Sequence, residues 1–491
     1  MVEVRYSGES RKEFLRYVRK EGIELPDYEV VDVQEPKLFK EYFPWSKPPV
    51  MVLDGVILHV KPPDLLWITD TTFRDGQQSR EPYTVEQIVK LYSFLHRLGG
   101  PHGKILHSEF FLYSDKDRAA VKACRELGHH YPMVTGWIRA NREDLRLVKE
   151  AGLEETGILT SISDYHIFYK FQGLGRTKII EGYLSIVEEA LRSGIIPRVH
   201  LEDSTRADIF GVIVSYVRKL MKLSKRYGLP VKIRFADTLG VGVPWDAASL
   251  PRSIPKLAWV LHNICDVPSE WLEFHGQNDF HLGVANATSA WMYGASLNNC
   301  TLLGIGERAG NVPLEGMVFM YSALKGSLDG MDTRVITEIA EYYECEIGYT
   351  IPPYYPLVGK NFNMTWAGVH ADGLLKNVEI YLPFDTEALL NAPPSTSISE
   401  YSGLAGIALW INNFFKLSGR SKVSKNHQGV KNIHEEVMKM YRTGRVTRIG
   451  NEEMLEPVRK YMPDLIESYG REERRPRGDR LLYEGGFYPG A

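Results

Sequence analysis

The sequence predicts a parallel (β/α)8 barrel with an N-terminal extension and mainly helical C-terminal subdomains. Two observations lead there. Between about residues 65 and 325, eight short apolar runs alternate with amphipathic helical stretches, and roughly 250 residues is the size of one such barrel. Polar residues able to do chemistry follow nearly every run, on the carboxyl-terminal side where barrels of this kind place their sites. A doubly wound sheet accounts less well for eight strands.

The expected strands are Leu65–Asp70, Lys104–Phe110, Met133–Ile138, Glu155–Ser161, Pro197–Glu202, Val231–Asp237, Trp271–His275 and Asn299–Gly304. The first delivers Arg74 and Asp75, and the second carries Glu109. The third leads to Arg139, the fourth to Thr160 and Ser161, and the fifth to Glu202 and Asp203. The sixth leads to Asp237 and Thr238, the seventh to His275 and Gln277, and the eighth to Glu307 through Asn311. Residues 1–64, with charged helical stretches and a Pro-rich turn at Trp45-Ser-Lys-Pro-Pro, form the extension. Residues 65–330 make the barrel and 331–470 the helical subdomains, with helices expected at Thr333–Glu344, Ser402–Phe415 and Val430–Thr443. Residues 471–491 form a charged tail.

Composition narrows the class. With 491 residues, 44% hydrophobic and 25% charged, the chain can bury a large core and divide into more than one domain. A net charge of -3 argues against nucleic-acid partners and polybasic membrane attachment. The four cysteines are far apart and form no Cys-x-x-Cys pair, which suits a reducing cytoplasm. No stretch of about 18 apolar residues suggests a membrane span, and the amino terminus lacks the apolar core of a signal peptide.

Asp75, His275 and Gln277 can supply oxygen and imidazole ligands to one divalent ion, with Asn311 ligating directly or through water. His275 and Gln277 stand two apart at a strand end, so their side chains share a face. The same pair is also consistent with a hydrogen-bonded core histidine and a loop cap. Arg74 is suited to stabilising a carbonyl oxygen as charge develops, or it simply orients Asp75 through a salt bridge. Glu109 reads as the partner that holds Arg74, or as a surface carboxylate. His370 and Tyr381, in Val369-His370-Ala-Asp372-Gly373 and beyond, can act as an acid or base, although lone histidines and tyrosines are common on helical surfaces.

Four motifs carry a family resemblance: Asp70-Thr-Thr-Phe-Arg74-Asp75-Gly-Gln-Gln78, Phe274-His275-Gly-Gln277-Asn278-Asp279, Gly306-Glu307-Arg308-Ala-Gly-Asn311 and Gly368-Val-His370-Ala-Asp-Gly373. They resemble the signatures of the metal-dependent Claisen-condensing enzymes: the 2-isopropylmalate, homocitrate, citramalate and Re-face citrate synthases, related to hydroxymethylglutaryl-CoA lyase. The resemblance implies a homodimer in which the C-terminal region of one chain covers the barrel mouth of the other. It implies that Asp75, His275 and Asn311 serve the metal, that Arg74 is the catalytic arginine oriented by Glu109, and that Gln78 and Thr238 contact a 2-oxo acid. His370 and Tyr381 match the pair that assists enolisation of acetyl-CoA.

This sequence departs from the family pattern at Gln277, where the second metal histidine is expected. An amide oxygen suits a hard ion, so Mn2+ is expected, with Mg2+ or Co2+ as alternatives. The implied reaction condenses acetyl-CoA with a 2-oxo acid and hydrolyses the resulting thioester. The stretches Thr135–Asn141, Gly157–His166 and His370–Tyr381 are most similar to the Re-face citrate synthases, so oxaloacetate is the first expectation. Arg139 and Arg206 are the candidate cations for its distal carboxylate, and each is equally consistent with a structural ion pair. Homocitrate, 2-isopropylmalate and citramalate synthesis are alternatives, although the roughly 75 residues after Phe415 are too short and too helical for a leucine-sensing domain. A hydroxymethylglutaryl-CoA-lyase-like cleavage and a non-catalytic scaffold are readings from other classes.

Overall fold

A computed structural model of the chain describes residues 30–38, 49–171 and 174–473. The turn at Trp45 to Pro48, most of the 1–64 extension and nearly all of the 471–491 tail lie outside the described residues. The chain forms two compact units, each assembled from separate stretches. One comprises residues up to Pro82, Leu106–Val121 and Met133–Asp329; the other comprises Tyr83–Ile105, Lys122–Pro132 and the residues from Gly330 onward.

The barrel unit begins with a hairpin, β1 (Val50–Leu53) and β2 (Val56–His59), paired antiparallel. Its turn is Asp54-Gly55, both at positive φ (49° and 82°), the conformation that matches the twist of the flanking strands. Eight strands then close into a barrel: β3 (Trp67–Asp70), β4 (Ile105–Phe110), β5 (Met133–Arg139), β6 (Glu155–Ser161), β7 (Ile196–Glu202), β8 (Lys232–Asp237), β9 (Leu272–Gly276) and β10 (Leu297–Cys300). They neighbour one another in chain order, and β10 returns to β3. The predicted barrel is therefore the observed one. The last strand lies earlier than expected, with Leu297 and Asn298 buried inside it, and Leu302–Gly304 instead forms a single tight helical turn.

Alternation along the strands sorts the side chains. Val199, Leu201, Ile233, Phe235, Leu272 and Phe274 form an apolar layer, with the Phe235 and Phe274 rings 5.3 Å apart. Each such ring, fully buried, contributes on the order of 1.5–3 kcal/mol. The intervening positions Arg198, His200, Arg234, Glu273 and His275 turn the other way and fill the barrel interior with polar groups.

In the second unit the helices Val85–Gly99 and Val335–Cys345 are joined by a two-pronged Arg97–Glu338 pair at 2.7 and 2.6 Å and by a Tyr83–Tyr343 hydroxyl contact of 2.8 Å. Helices Gly403–Phe414, Gln428–Arg442 and Asn451–Tyr461 share a core that includes Ile407, Ile411, Val430, Ile433, Met454 and Val458. Helix Gly368–Lys376, which carries His370, packs Ala371 and Leu374 on Ala405 and Leu409. No described helix is long and apolar enough to cross a membrane.

Candidate active site

Arg74 and Asp75 lie just past the end of β3 and are both buried. Arg74 donates from Nη1 to Asp75 Oδ1 (2.7 Å) and from Nε to Glu109 Oε2 (3.2 Å), and its guanidinium lies 4.6 Å from the Trp137 ring centre. Two carboxylates and an aromatic face thus fix the plane of the guanidinium. Nη2 makes no hydrogen bond among the described residues.

Glu109, on β4, is the hub of the interior. Arg198 and Arg234 each contact it (3.2 and 3.0 Å) and each also contact Glu273 (3.5 and 2.6 Å), which closes a ring of two arginines and two glutamates. Thr71 adds a hydroxyl to Glu109 at 3.1 Å. Burial works against ionisation of Glu109, but Arg234, His200 and Arg198 hold its carboxyl well below the usual range. Burial likewise opposes Glu273, and Arg234 and Arg198 hold it down. His200 stays neutral: burial and the Arg234 charge push it down to about 3, and its Nδ1 accepts from Trp137 Nε1 at 3.1 Å. Gly157 leaves the room this requires, since a Cβ there would stand 2.7 Å from His200 Nε2 and 2.8 Å from Glu109 Oε1.

The expected ligands meet at the ends of β3, β9 and β10. His275 Nε2 is 3.5 Å from Asp75 Oδ2; Gln277 donates from Nε2 to Asp75 Oδ2 (3.3 Å) and to Asn311 Oδ1 (3.0 Å). The turn from Gly304 to Asn311 wraps the asparagine so closely that a Cβ on Gly306 would collide with its amide. Burial works against ionisation of Asp75, but the Arg74 charge holds its carboxyl below the usual range, while burial keeps His275 below its usual value. Gln277 Oε1 is buried without a hydrogen-bond partner. Among the described residues no three His, Cys, Asp or Glu side chains cluster as a metal site. Two amides complete the set here, and an orphaned amide oxygen beside a carboxylate and a neutral imidazole fits a hard divalent ion.

Gln78 is exposed on the turn Gly76–Ser79. Thr238 accepts a hydrogen bond from the Asp203 amide at 2.8 Å. Arg139 is clamped by Asp144 (2.9 and 2.8 Å), and Arg206 by Asp203 while lying over the Tyr165 ring. In the second unit the His370 and Tyr381 rings pack at 4.3 Å, and both residues are exposed.

Glu202, at the end of β7, also has a charged setting: His166 at 3.2 Å, Lys170 at 3.5 Å and the Ser161 hydroxyl. Burial pushes its carboxyl up, but these partners hold it at about 2. A depressed carboxylate contributes stability that is present above its unfolded value and lost as pH falls through the folded one. Glu202→Gln is therefore expected to flatten the loss of stability between about pH 4.5 and pH 2, read as urea midpoint against pH. An acid limb identical to wild type would contradict this.

The HMGL-like family model matches residues 66–342, more than half of the chain. The chain belongs to this family. Among relatives of this HMGL-like protein, a Citrate (Re)-synthase from Syntrophus aciditrophicus is 52% identical over 441 residues, covering 90% of this chain and 70% of that protein. A second, from Clostridium kluyveri, is 49% identical and covers 90% and 97%. A 2-phosphinomethylmalate synthase from Streptomyces hygroscopicus is 37% identical over 87% and 97%. Among solved structures, an HMG-CoA lyase from Acenitobacter baumannii in complex with coenzyme A and 3-methylmalate aligns with a TM-score of 0.47 at 18% identity, over 59% of this chain and 93% of that one.

Sequence reading had not singled out Arg198, His200, Arg234, Glu273, Thr69 and Asn299. For three of them a signal was present as period-two polarity: Arg198, His200 and Glu202 on β7, and Glu273 and His275 on β9.

Proposed function

We propose that the chain condenses acetyl-CoA with oxaloacetate, releasing citrate and CoA. The observation that carries this reading is the identity of about half over 90% of the chain with two Citrate (Re)-synthases. Asp75, His275 and Gln277, with Asn311 beside them, would hold a hard divalent ion, with Mn2+ preferred over Mg2+ or Co2+. When bound, that ion polarises the keto group of the oxo acid.

Arg74 offers its unengaged Nη2 to the keto oxygen as it becomes an alkoxide, and Glu109 and Trp137 keep the guanidinium from turning away. His370, backed by Tyr381, removes a proton from the acetyl methyl group, and the enolate attacks the keto carbon; water then hydrolyses the thioester. Gly373 supports this pairing, because a side chain there would collide with the Tyr381 ring. Gln78 and Thr238 are assigned to the oxo acid. Arg139 and Arg206 are assigned to its distal carboxylate, for which each would exchange part of its present carboxylate pairing.

A homodimer in which the second unit of one chain covers its partner's barrel mouth fits the exposed aromatics Tyr113, Tyr165, Phe168, Tyr169, Phe210, Trp245 and Phe280. All of them stand on connections that follow barrel strands. The four unpaired cysteines fit a cytoplasmic setting.

Thiol release from acetyl-CoA in the presence of Mn2+ tests the reading, with oxaloacetate, 2-oxoglutarate, 2-oxoisovalerate and pyruvate compared in one panel. Oxaloacetate is expected to dominate. Preference for another acid would move the substrate, and no release with any acid would overturn the condensing reaction.

A further inference from the structure

Glu273 and His275 stand two residues apart on β9, and a buried run of hydrogen bonds through two neighbouring strands joins their side chains. Thr69 on β3 donates its hydroxyl proton to Glu273 Oε1. Asn299 on β10 donates from Nδ2 to Thr69 Oγ1 (3.1 Å), and its Oδ1 lies 2.8 Å from His275 Nδ1. All four side chains are buried.

Donor and acceptor counting gives this run a direction. Glu273, gripped by Arg198 and Arg234, can only accept. Thr69 has one proton and commits it there, the alternative acceptor Asn298 O being farther at 3.3 Å. Asn299 must therefore turn its NH2 to Thr69 and its oxygen to His275, so the proton of the neutral imidazole sits on Nδ1. The lone pair on Nε2 is then bare and faces Asp75 Oδ2 at 3.5 Å. Two acceptors face each other there, an arrangement that a cation between them relieves.

We infer that Glu273, Thr69 and Asn299 are positioning residues that fix His275 in the Nδ1–H tautomer and so make Nε2 its metal-binding atom. This rests on the reading of His275 as a metal ligand. Outer partners of ligating histidines commonly set the tautomer in this way. Here the device has a second consequence. The carboxylate that starts the run also grips Arg198 and Arg234, which hold Glu109 and through it Arg74. One residue thereby aligns both the metal ligand and the catalytic arginine.

The test uses chelator-stripped full-length protein. Histidine-selective nitrogen NMR reports the His275 tautomer, assigned by its loss in His275→Gln, and Mn2+ titration followed by the EPR signal of the free ion reports affinity. Wild type is expected to show Nδ1–H. Thr69→Val is expected to mix the tautomers and weaken Mn2+ binding by about tenfold or more, and Thr69→Ser to restore both. An Nε2–H tautomer in wild type would overturn the inference without any variant, and so would Thr69→Val with wild-type tautomer and affinity. Wild type that shows Nδ1–H yet takes up no Mn2+ would instead overturn the metal reading beneath it.

Discussion

Arg74→Ala is expected to lower kcat for thiol release by about 10²–10³, the usual cost of removing one fixed donor from a developing oxyanion. The fold should survive, because Glu109 keeps Arg198 and Arg234 as counter-charges and the side chain lost lies at the end of the network. Arg74→Lys should recover only part of the rate. A lysine keeps the charge but cannot reach Asp75 and Glu109 at once or stack flat on Trp137. Steady-state kinetics beside urea unfolding separates these effects. A kcat within a few-fold of wild type for Arg74→Ala would remove the arginine from the chemistry.

Glu109→Gln is expected to have the largest effect on stability, about 3–5 kcal/mol, the range for leaving a buried charge without its partner. The fully buried carboxylate is shared by three arginines, so its loss leaves Glu273 as the one carboxylate that Arg198 and Arg234 still share. Activity should fall with it, since Arg74 loses the group that fixes its plane. A change in unfolding free energy below about 1 kcal/mol, the size of an exposed pair, would mean that water screens the ring.

Much of this was legible in the chain because strands and their terminal residues are local features. Thr72 through Gln78 and Phe274 through Asp279 announce strand ends that deliver charge, and seven of the eight strands fall within a residue or two of their expected places. The eighth was placed late because Asn298 looks like a turn residue, and only a tertiary partner makes it a strand residue: its amide donates to Ala287 O. The hairpin at 50–59 was missed although Asp54-Gly55 between two apolar runs is a strong local signal. The Arg–Glu ring could not be read as a ring. Its members come from four different strands, and their spacing shows only that each faces inward. The partners of Arg139 and Arg206 were hidden for another reason: Asp144 and Asp203 stand within five residues, so each cation was as consistent with a local ion pair as with a substrate.

Two ionisable ligands and two amides at the barrel's strand ends are expected to hold a divalent ion where the oxo acid is bound. Counting bound Mn2+ by EPR in chelator-stripped protein, with and without oxaloacetate, tests it most directly, with Asp75→Ala as the comparison. One ion per chain is expected, held more tightly when oxaloacetate is present, and neither effect should survive in Asp75→Ala. Mn2+ uptake that ignores both oxaloacetate and the loss of Asp75 would contradict the account.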